Sequence, residues 1–178
     1  MRYVSSDSHN QSLGASIKSV FAAMGSRVEP ILEKNNLANV ESDKWYPQQD
    51  YLNVYNDLEA DDSSVMSDLV SIGMKILDEA QFPPDIDNIE KALLSMDAYY
   101  KLNNRDAYGG WQVEIDEKSA TCTSTTPFPT DLEYGILYAM ARRFAGQGKH
   151  VAVKYQNTVI RNQRKGHDAP CVYLVTWE

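Results

Sequence analysis

The side chains that could act as nucleophiles or bases are few and scattered. The chain has three histidines and two cysteines. Nucleophilic catalysis needs a nucleophile beside a base that a third group orients. His9 lies near the N-terminus and His150 at the start of a predicted strand, while the pair Cys171 and His167 falls in a loop without an orienting residue. The pattern therefore predicts no catalytic residue and a protein that is not an enzyme.

Metal and nucleotide cofactors are not expected either. A structural zinc site uses about four Cys, His or carboxylate ligands at paired spacings. An antiparallel sheet can bring together Cys122, Cys171, His167 and Asp168, but no paired spacing supports a site. The glycine-rich stretch at 146–149 follows a predicted helix instead of preceding one, which is typical of a helix stop and not of a phosphate loop. We therefore expect no metal and no cofactor.

Tyrosines are paired at two places in the predicted helices. Tyr51 and Tyr55 are one helical turn apart, and Tyr99 is followed by Tyr100. Such pairs can line an apolar pocket, but at helical spacing they also occur in the core or at its rim. Both interpretations remain open at this point.

The charge excludes a general nucleic-acid-binding protein. The net charge is −8, whereas neutralising phosphates needs a basic surface. The charge is uneven, because residues 1–130 carry 10 basic against 21 acidic side chains and residues 131–178 carry 7 against 4. The basic C-terminal residues either pair with the acidic part of the chain or form a patch for an anionic partner.

Two features indicate a cytoplasmic protein without membrane association. The first ten residues lack the apolar stretch of a secretory signal, and no segment approaches the ~18 apolar residues of a membrane span. The two cysteines, Cys122 and Cys171, are too few for a disulfide framework, so we expect them to be reduced and buried.

Most of residues 1–110 follows helical periodicity. The expected helix starts are Ser12, Pro30, Trp45-Tyr46-Pro47, Asp62 or Ser63, and Asp85 or Asp87. The first helix should end at Gly25, and Pro83-Pro84 should end the fourth.

From Trp111 onward the period changes to two, which is typical of half-buried strands. Strands are predicted at 111–116, 119–124, 151–155 and 171–177, with a helix capped by Asp131 between the two pairs. Helices separated from an antiparallel sheet define an α+β fold. We expect one domain over residues 1–178, with a mainly helical part at 1–110 packed on a roughly four-stranded antiparallel sheet, and a ββαββ part at 111–178.

Four segments, in order, resemble a bacterial superfamily that includes 4-vinyl-reductase-like and heme-NO-binding-like domains and whose fold also occurs in a Golgi transport tethering complex. These segments are Lys44-Trp45-Tyr46-Pro47, Met96–Tyr100 leading to Gly109-Gly110-Trp111, Thr126-Pro127-Phe128-Pro129 through Leu137, and Arg164-Lys165-Gly166 with Cys171–Trp177. The resemblance runs from about residue 44 to the C-terminus. It implies a regulatory domain that binds a small or apolar ligand between helices and sheet and often dimerises.

The chain also departs from this resemblance. Relatives often carry cysteine where this chain has Thr130, and another near Arg161 and Asn162. The heme-binding branch needs a proximal histidine and a Tyr-x-Ser-x-Arg motif, and the region at Tyr155 lacks the required Ser and Arg. Heme binding is therefore not expected here.

These considerations favour a non-catalytic sensory or regulatory domain of a bacterial signalling system that binds a small apolar ligand and forms a homodimer. The alternative is a protein–protein interaction domain without a small ligand. The residues expected to contact a ligand are Met96, Tyr99, Tyr100, Trp111, Cys122, Cys171 and Tyr173.

Overall fold

The computed structural model describes residues 3–25, 28–61, 65–146, 148–157 and 170–178. The fold is α+β, as predicted. The helices are α1 (Gly14–Met24), α2 (Glu29–Lys34), α3 (Gln48–Asp61), α4 (Val65–Glu79), α5 (Ile89–Leu94), α6 (Met96–Asn103) and α7 (Thr130–Phe144). The strands are β1 (Gln11–Leu13), β2 (Trp45–Pro47), β3 (Asn104–Arg105), β4 (Trp111–Asp116), β5 (Ser119–Ser124), β6 (Val151–Tyr155) and β7 (Cys171–Trp177).

The predicted four-stranded antiparallel sheet is confirmed, with the order β4-β5-β7-β6. Strand β7 lies inside the sheet, and its alternation buries Cys171, Tyr173 and Val175 on one face while Trp177 is only half-buried at the strand end. Helix α7 packs on this strand and on β6. The alternating pattern thus places one apolar face of the sheet against a helix.

A second sheet was not predicted. Strand β1 pairs with β2 and β3 on its two sides, so that Leu13 lies opposite Trp45 and Ser12 lies opposite Asn104. The prediction that Trp45-Tyr46-Pro47 opens a helix is wrong, since these residues form β2 and α3 begins after them. Strands of two or three residues are too short for alternation to be visible in the sequence.

Several predicted helix caps also differ from the structure. Ser12 is buried in β1 and donates to the Asn104 side chain, so Leu13 occupies the N-cap position of α1. Asn88, not Asp85 or Asp87, caps α5 and accepts from the backbone N–H of Lys91. Pro129 stands at the N-cap of α7, where Asp131 was expected. The proposed caps Asp62 and Ser63 lie outside the described residues.

The core has two parts. The sheet cluster is built from α4–α7 and the strands β5–β7, and its buried members include Leu93, Leu137, Tyr173 and Val175. The helical cluster is built mainly from α1–α4, with members such as Ile17, Leu52, Tyr55 and Leu69, and receives Leu132 from α7. Ile76 and Ile136 pack against both clusters. Helices α4 and α7 therefore join the two parts of the core.

The crossing of α4 and α7 is unusually close. A Cβ atom added to Gly73 would lie 2.2 Å from the carbonyl oxygen of Leu132, and one added to Gly135 would lie 2.1 Å from that of Val70. The two glycine Cα atoms thus allow backbone-to-backbone contact between the helices. Within the described residues, no helix is both long and apolar enough to cross a membrane.

Candidate functional site

A cavity of about 290 Å³ lies where the sheet cluster and the helical cluster meet. Its lining includes Ile76, Leu132 and Ile136, which come from the two helices that join the clusters. Aromatic rings form much of the remaining wall: Tyr51, Phe82, Tyr99, Tyr100, Trp111 and Phe128. A pocket of this size with apolar and aromatic walls and a few polar groups is typical of small-molecule sites.

Phe128 is the centre of the aromatic wall. Its ring contacts Tyr51, Tyr55 and Tyr100 edge to face, with centroid distances of 5.3, 6.3 and 6.5 Å. The Pro-Phe-Pro segment between β5 and α7 holds this ring, because Pro127 and Pro129 restrict the backbone on both sides of it. A segment prominent in the sequence resemblance therefore carries one of the cavity's aromatic side chains.

The position of Trp111 depends on the two glycines before it. Gly110 has φ = +149°, and a Cβ atom there would lie 2.3 Å from the Asp97 carboxylate. Without that atom, the backbone N–H of Trp111 donates to Asp97 Oδ1 at 3.0 Å. Burial raises the pKa of Asp97, but hydrogen bonds from Lys101 and Trp111 outweigh this and leave the pKa below its ordinary value. The ionised Asp97 side chain on α6 thus forms a hydrogen bond with the start of β4.

One carboxylate belongs to the lining. Glu133 is buried in the first turn of α7, and its Oε1 accepts hydrogen bonds from Ser124 and Thr126, each at 2.5 Å. Its Oε2 accepts from the hydroxyl of Tyr173 at 2.7 Å. Hydroxyl donors on both oxygens compensate the burial of this polar group.

A series of hydroxyl groups forms another polar part of the wall. The hydroxyl of the buried Tyr55 donates to that of Tyr51 at 2.9 Å. Burial raises the pKa of both phenols well above the ordinary value, and at Tyr51 hydrogen bonds with Tyr55 and Ser16 offset part of the rise. Both tyrosines therefore stay protonated under ordinary conditions.

Four of the seven residues predicted to contact a ligand are brought together by this cavity. Met96, Tyr99, Tyr100 and Trp111 line it. The other three, Cys122, Cys171 and Tyr173, are in the sheet cluster, where Cys122 lies opposite Tyr173 across β5 and β7. They are not among the residues that line the cavity, although the ring of Tyr173 lies 6.0 Å from that of Trp111.

Other cavity residues were not predicted as ligand contacts. Phe128 and Glu133 lie in the segment that carries the family resemblance, and Tyr51 belongs to a tyrosine pair for which two interpretations were open. The residues next to them in the sequence are polar or turn-forming and do not indicate a pocket. A search for aromatic residues close to Pro-rich connections would have found Phe128.

No protein-family model and no curated protein matches the chain. Similar solved structures are H-NOX proteins. They include the Fe(II) unliganded protein from K. algicida (TM-score 0.66, 12% identity, 93% of this chain and 96% of that chain covered). They also include the protein from S. oneidensis in the Fe(II) ligation state (0.62, 12%, 93% and 96%), and an oxygen-binding domain related to soluble guanylate cyclases (0.62, 10%, 93% and 92%).

The chain has the H-NOX fold. This confirms the predicted heme-NO-binding-like architecture, and at these identities the likeness concerns the fold alone. The fold family implies a heme, which would need ligands for its iron and cations for its propionates.

The described residues of this H-NOX fold do not fit a heme. Heme iron is usually held by His, Cys, Met or Tyr, and a phenol must lose its proton to bind a metal. Met serves as a heme ligand together with His, and the described residues that line the cavity include Met96 and Met140 but no His, and no Cys, Lys or Arg. Burial raises the pKa of Tyr51 and Tyr99, which disfavours the phenolate. Glu133 adds a carboxylate where two heme propionates would need cations.

The two histidines in the described part of the chain do not line this cavity. His9 and His150 are exposed and do not line it, and His167 lies outside the described residues together with Asp168. Over the parts of the chain that the structure describes, no three His, Cys, Asp or Glu side chains converge in a way that could hold a metal ion.

Proposed function

We propose that this chain is a non-catalytic sensory or regulatory domain whose ligand is small, largely apolar and not a heme. The observation that supports this is the cavity of about 290 Å³ at the junction of the two core clusters. For comparison, an apolar cavity of about 150 Å³ is large enough for benzene. Space for a ring with a substituent, enclosed mainly by apolar and aromatic side chains, favours a ligand site over a packing defect.

The position of the cavity supports a regulatory role. Its walls come from α1 and α3 of the helical cluster, from α6 and Trp111, and from the crossing helices α4 and α7. A ligand there contacts both parts of the core at once and stabilises the arrangement in which it fits best. One solved domain of similar fold is an oxygen-binding H-NOX domain, and this supports the proposal of a ligand-binding role.

We further propose that the protein is cytoplasmic and forms a homodimer. Cys122 and Cys171 are both buried and neither forms a disulfide among the described residues, which supports a reducing compartment. The second candidate function, a protein–protein interaction domain, is favoured by large apolar side chains that are exposed to solvent. These are Leu94 at the end of α5, Leu102 in α6 and Tyr108 after α6.

Native mass spectrometry of the protein purified from its natural host tests these functions together. We expect a bound organic mass of a few hundred daltons at most, and two subunits for the homodimer. The variant Met96→Trp, which fills cavity space, should lose the bound mass. Its matched control is Leu102→Trp on the exposed side of the same helix, which should retain it. Far-UV circular dichroism verifies that both variants are folded.

The two candidates predict different spectra. A wild-type protein that carries no small molecule, or a Met96→Trp variant that keeps it, would contradict the ligand-binding function at this cavity. Loss of the dimer in Leu102→Trp without any bound mass in the wild type would favour the interaction domain instead.

A further inference from the structure

The hydroxyl groups on the cavity wall are arranged as hydrogen-bond donors. We call Ser16, Tyr51 and Tyr99 the hydroxyl cluster, since they line the cavity and, among the described residues, donate to no protein carbonyl or carboxylate. The other lining hydroxyls donate to such groups, namely those of Ser19, Ser95, Tyr100 and Thr126. Tyr55 supports the cluster from behind, where its side chain is fully buried. The question is which of these protons remain available to a ligand.

The proton of Tyr51 is not taken up by Tyr55, because Tyr55 uses the oxygen of Tyr51 as its acceptor. Within the described residues, Tyr51 is the only hydrogen-bond partner of the Tyr55 hydroxyl. A buried hydroxyl proton without an acceptor is costly, so Tyr55 must donate and Tyr51 must accept. The proton of Tyr51 then points away from Tyr55, toward Ser16 or the cavity.

Tyr99 adds a second phenol from another helix. Half of its side chain is exposed, yet burial raises the pKa of its hydroxyl, and it interacts electrostatically with Tyr51. Tyr99 lines the same cavity as Tyr51. In the described part of the chain this hydroxyl makes no hydrogen bond to a protein group. Two phenols from α3 and α6 thus offer donors within one cavity.

The charge of the lining limits the ligand further. Glu133 lines the same cavity, and the described lining residues include no Lys, Arg or His. A carboxylate or phosphate ligand would enter a low-dielectric space beside the Glu133 side chain, where the described lining residues offer the ligand no cation. The cavity therefore disfavours anionic ligands.

We infer that the ligand is a neutral, mainly apolar molecule with one hydrogen-bond-accepting oxygen, such as a ketone, ester or amide carbonyl, which accepts from Tyr51 and Tyr99. This inference rests on the proposed ligand-binding function and adds the chemical class of the ligand. The aromatic wall holds the apolar part by contact, and the hydroxyl cluster orients the oxygen.

Three probes of similar shape test the inference. Ethylbenzene, acetophenone and benzoate each carry a substituent of two or three heavy atoms on one ring, and differ in having no oxygen, a carbonyl, or a carboxylate. Their affinities are measured by NMR titration for the wild type, Tyr51→Phe, Tyr99→Phe and the control Tyr138→Phe. Tyr138 is a half-buried tyrosine of α7 that does not line the cavity.

We expect each cavity variant to weaken acetophenone binding by about threefold to tenfold, the net worth of one hydrogen bond. Ethylbenzene should bind equally to the wild type and to the variants, which also shows that the variants retain a folded cavity. Benzoate should bind the wild type at least about tenfold more weakly than acetophenone. Tyr138→Phe should change none of the three affinities.

Failure of the inference is distinct from failure of the proposed function. If both variants weaken ethylbenzene and acetophenone alike, or if benzoate binds best, the assignment of ligand class is overturned while ligand binding stands. If the wild type binds none of the three probes, the ligand-binding function of this cavity is itself contradicted. Because Tyr99 is half-exposed, its variant remains informative even if the loss of the buried Tyr51 hydroxyl impairs folding.

Discussion

Replacing Gly135 by alanine should destabilise the protein, although alanine is the better helix former. Gly135 lies in the middle of α7, where the helix crosses α4 at Gly73. In an open helix position this substitution would stabilise the fold by about 1 kcal/mol. The sign of the change in the free energy of unfolding therefore reports whether the two helices are in close contact.

The magnitude follows from the contact distances. The added Cβ would lie 2.1 Å from the carbonyl oxygen of Val70 and 3.1 Å from the Cα of Gly73, whereas ordinary contacts begin at 3.4 Å. Both clashes are with backbone, which no side-chain rotation relieves, so the helices must separate by roughly 1 Å. Overpacking of this kind costs about 1–3 kcal/mol or more. Because both clashes are with backbone atoms, we place the cost at the upper end, about 3 kcal/mol. After subtraction of the gain of about 1 kcal/mol in helix propensity, we expect a net loss of about 2 kcal/mol.

Urea unfolding followed by both tryptophan fluorescence and far-UV circular dichroism measures this loss. Lys75→Ala, at an exposed position of α4, is the control and should change the stability by less than about 0.5 kcal/mol. Since α4 and α7 contribute to both core clusters, the two signals should change in one transition, as expected for the proposed single domain. A stabilised Gly135→Ala variant would refute the close helix crossing.

Two further predictions concern buried polar groups. Tyr173→Phe removes the donor to Glu133 Oε2 and should lower the free energy of unfolding in urea by about 1–3 kcal/mol. The control Tyr138→Phe should lower it by less than about 0.5 kcal/mol. Equal effects of the two variants would contradict the role of the Tyr173 hydroxyl. Burial raises the pKa of Cys122 from 9.0 to about 12, so the folded state keeps a proton that the unfolded chain releases above pH 9.0. The free energy of unfolding should therefore fall by up to about 1.4 kcal/mol per pH unit above pH 9.0. The variant Cys122→Ala should remove this contribution to the pH dependence. If the pH dependence of the variant equals that of the wild type, the Cys122 thiol is not responsible for it.

The strands of the C-terminal part were predictable because their signal is local. Alternation along 111–116 and 171–177 reflects one buried and one more exposed face, so the period of two appears directly in the residue order. The short strands β1, β2 and β3 carry no such signal. They form because α1, α3 and α6 bring three extended segments side by side, where their backbone groups pair.

The helix caps show the same limit at the scale of one turn. Asp131 has the residue type of an N-cap, but it is buried within the first turn of α7, where its carboxylate accepts from Tyr155 at 2.8 Å. The residue type of Asp131 indicated that a helix begins near this position. Only the packing of α7 against β6 and β7 determined that Asp131 is buried within the first turn and that Pro129 stands at the N-cap.

The candidate site divides in a similar way between sequence and tertiary structure. By itself the sequence determined the α+β class, the four-stranded sheet and the aromatic residues Tyr99, Tyr100 and Trp111 as ligand candidates, because composition and periodicity are properties of neighbouring residues. Tertiary structure alone decided that Tyr51 and Phe128 join them while Cys122 and Cys171 lie in the sheet core. A cavity is bounded by residues far apart in the chain, and its existence depends on how closely α4 and α7 approach and on what the opposing side chains leave unfilled.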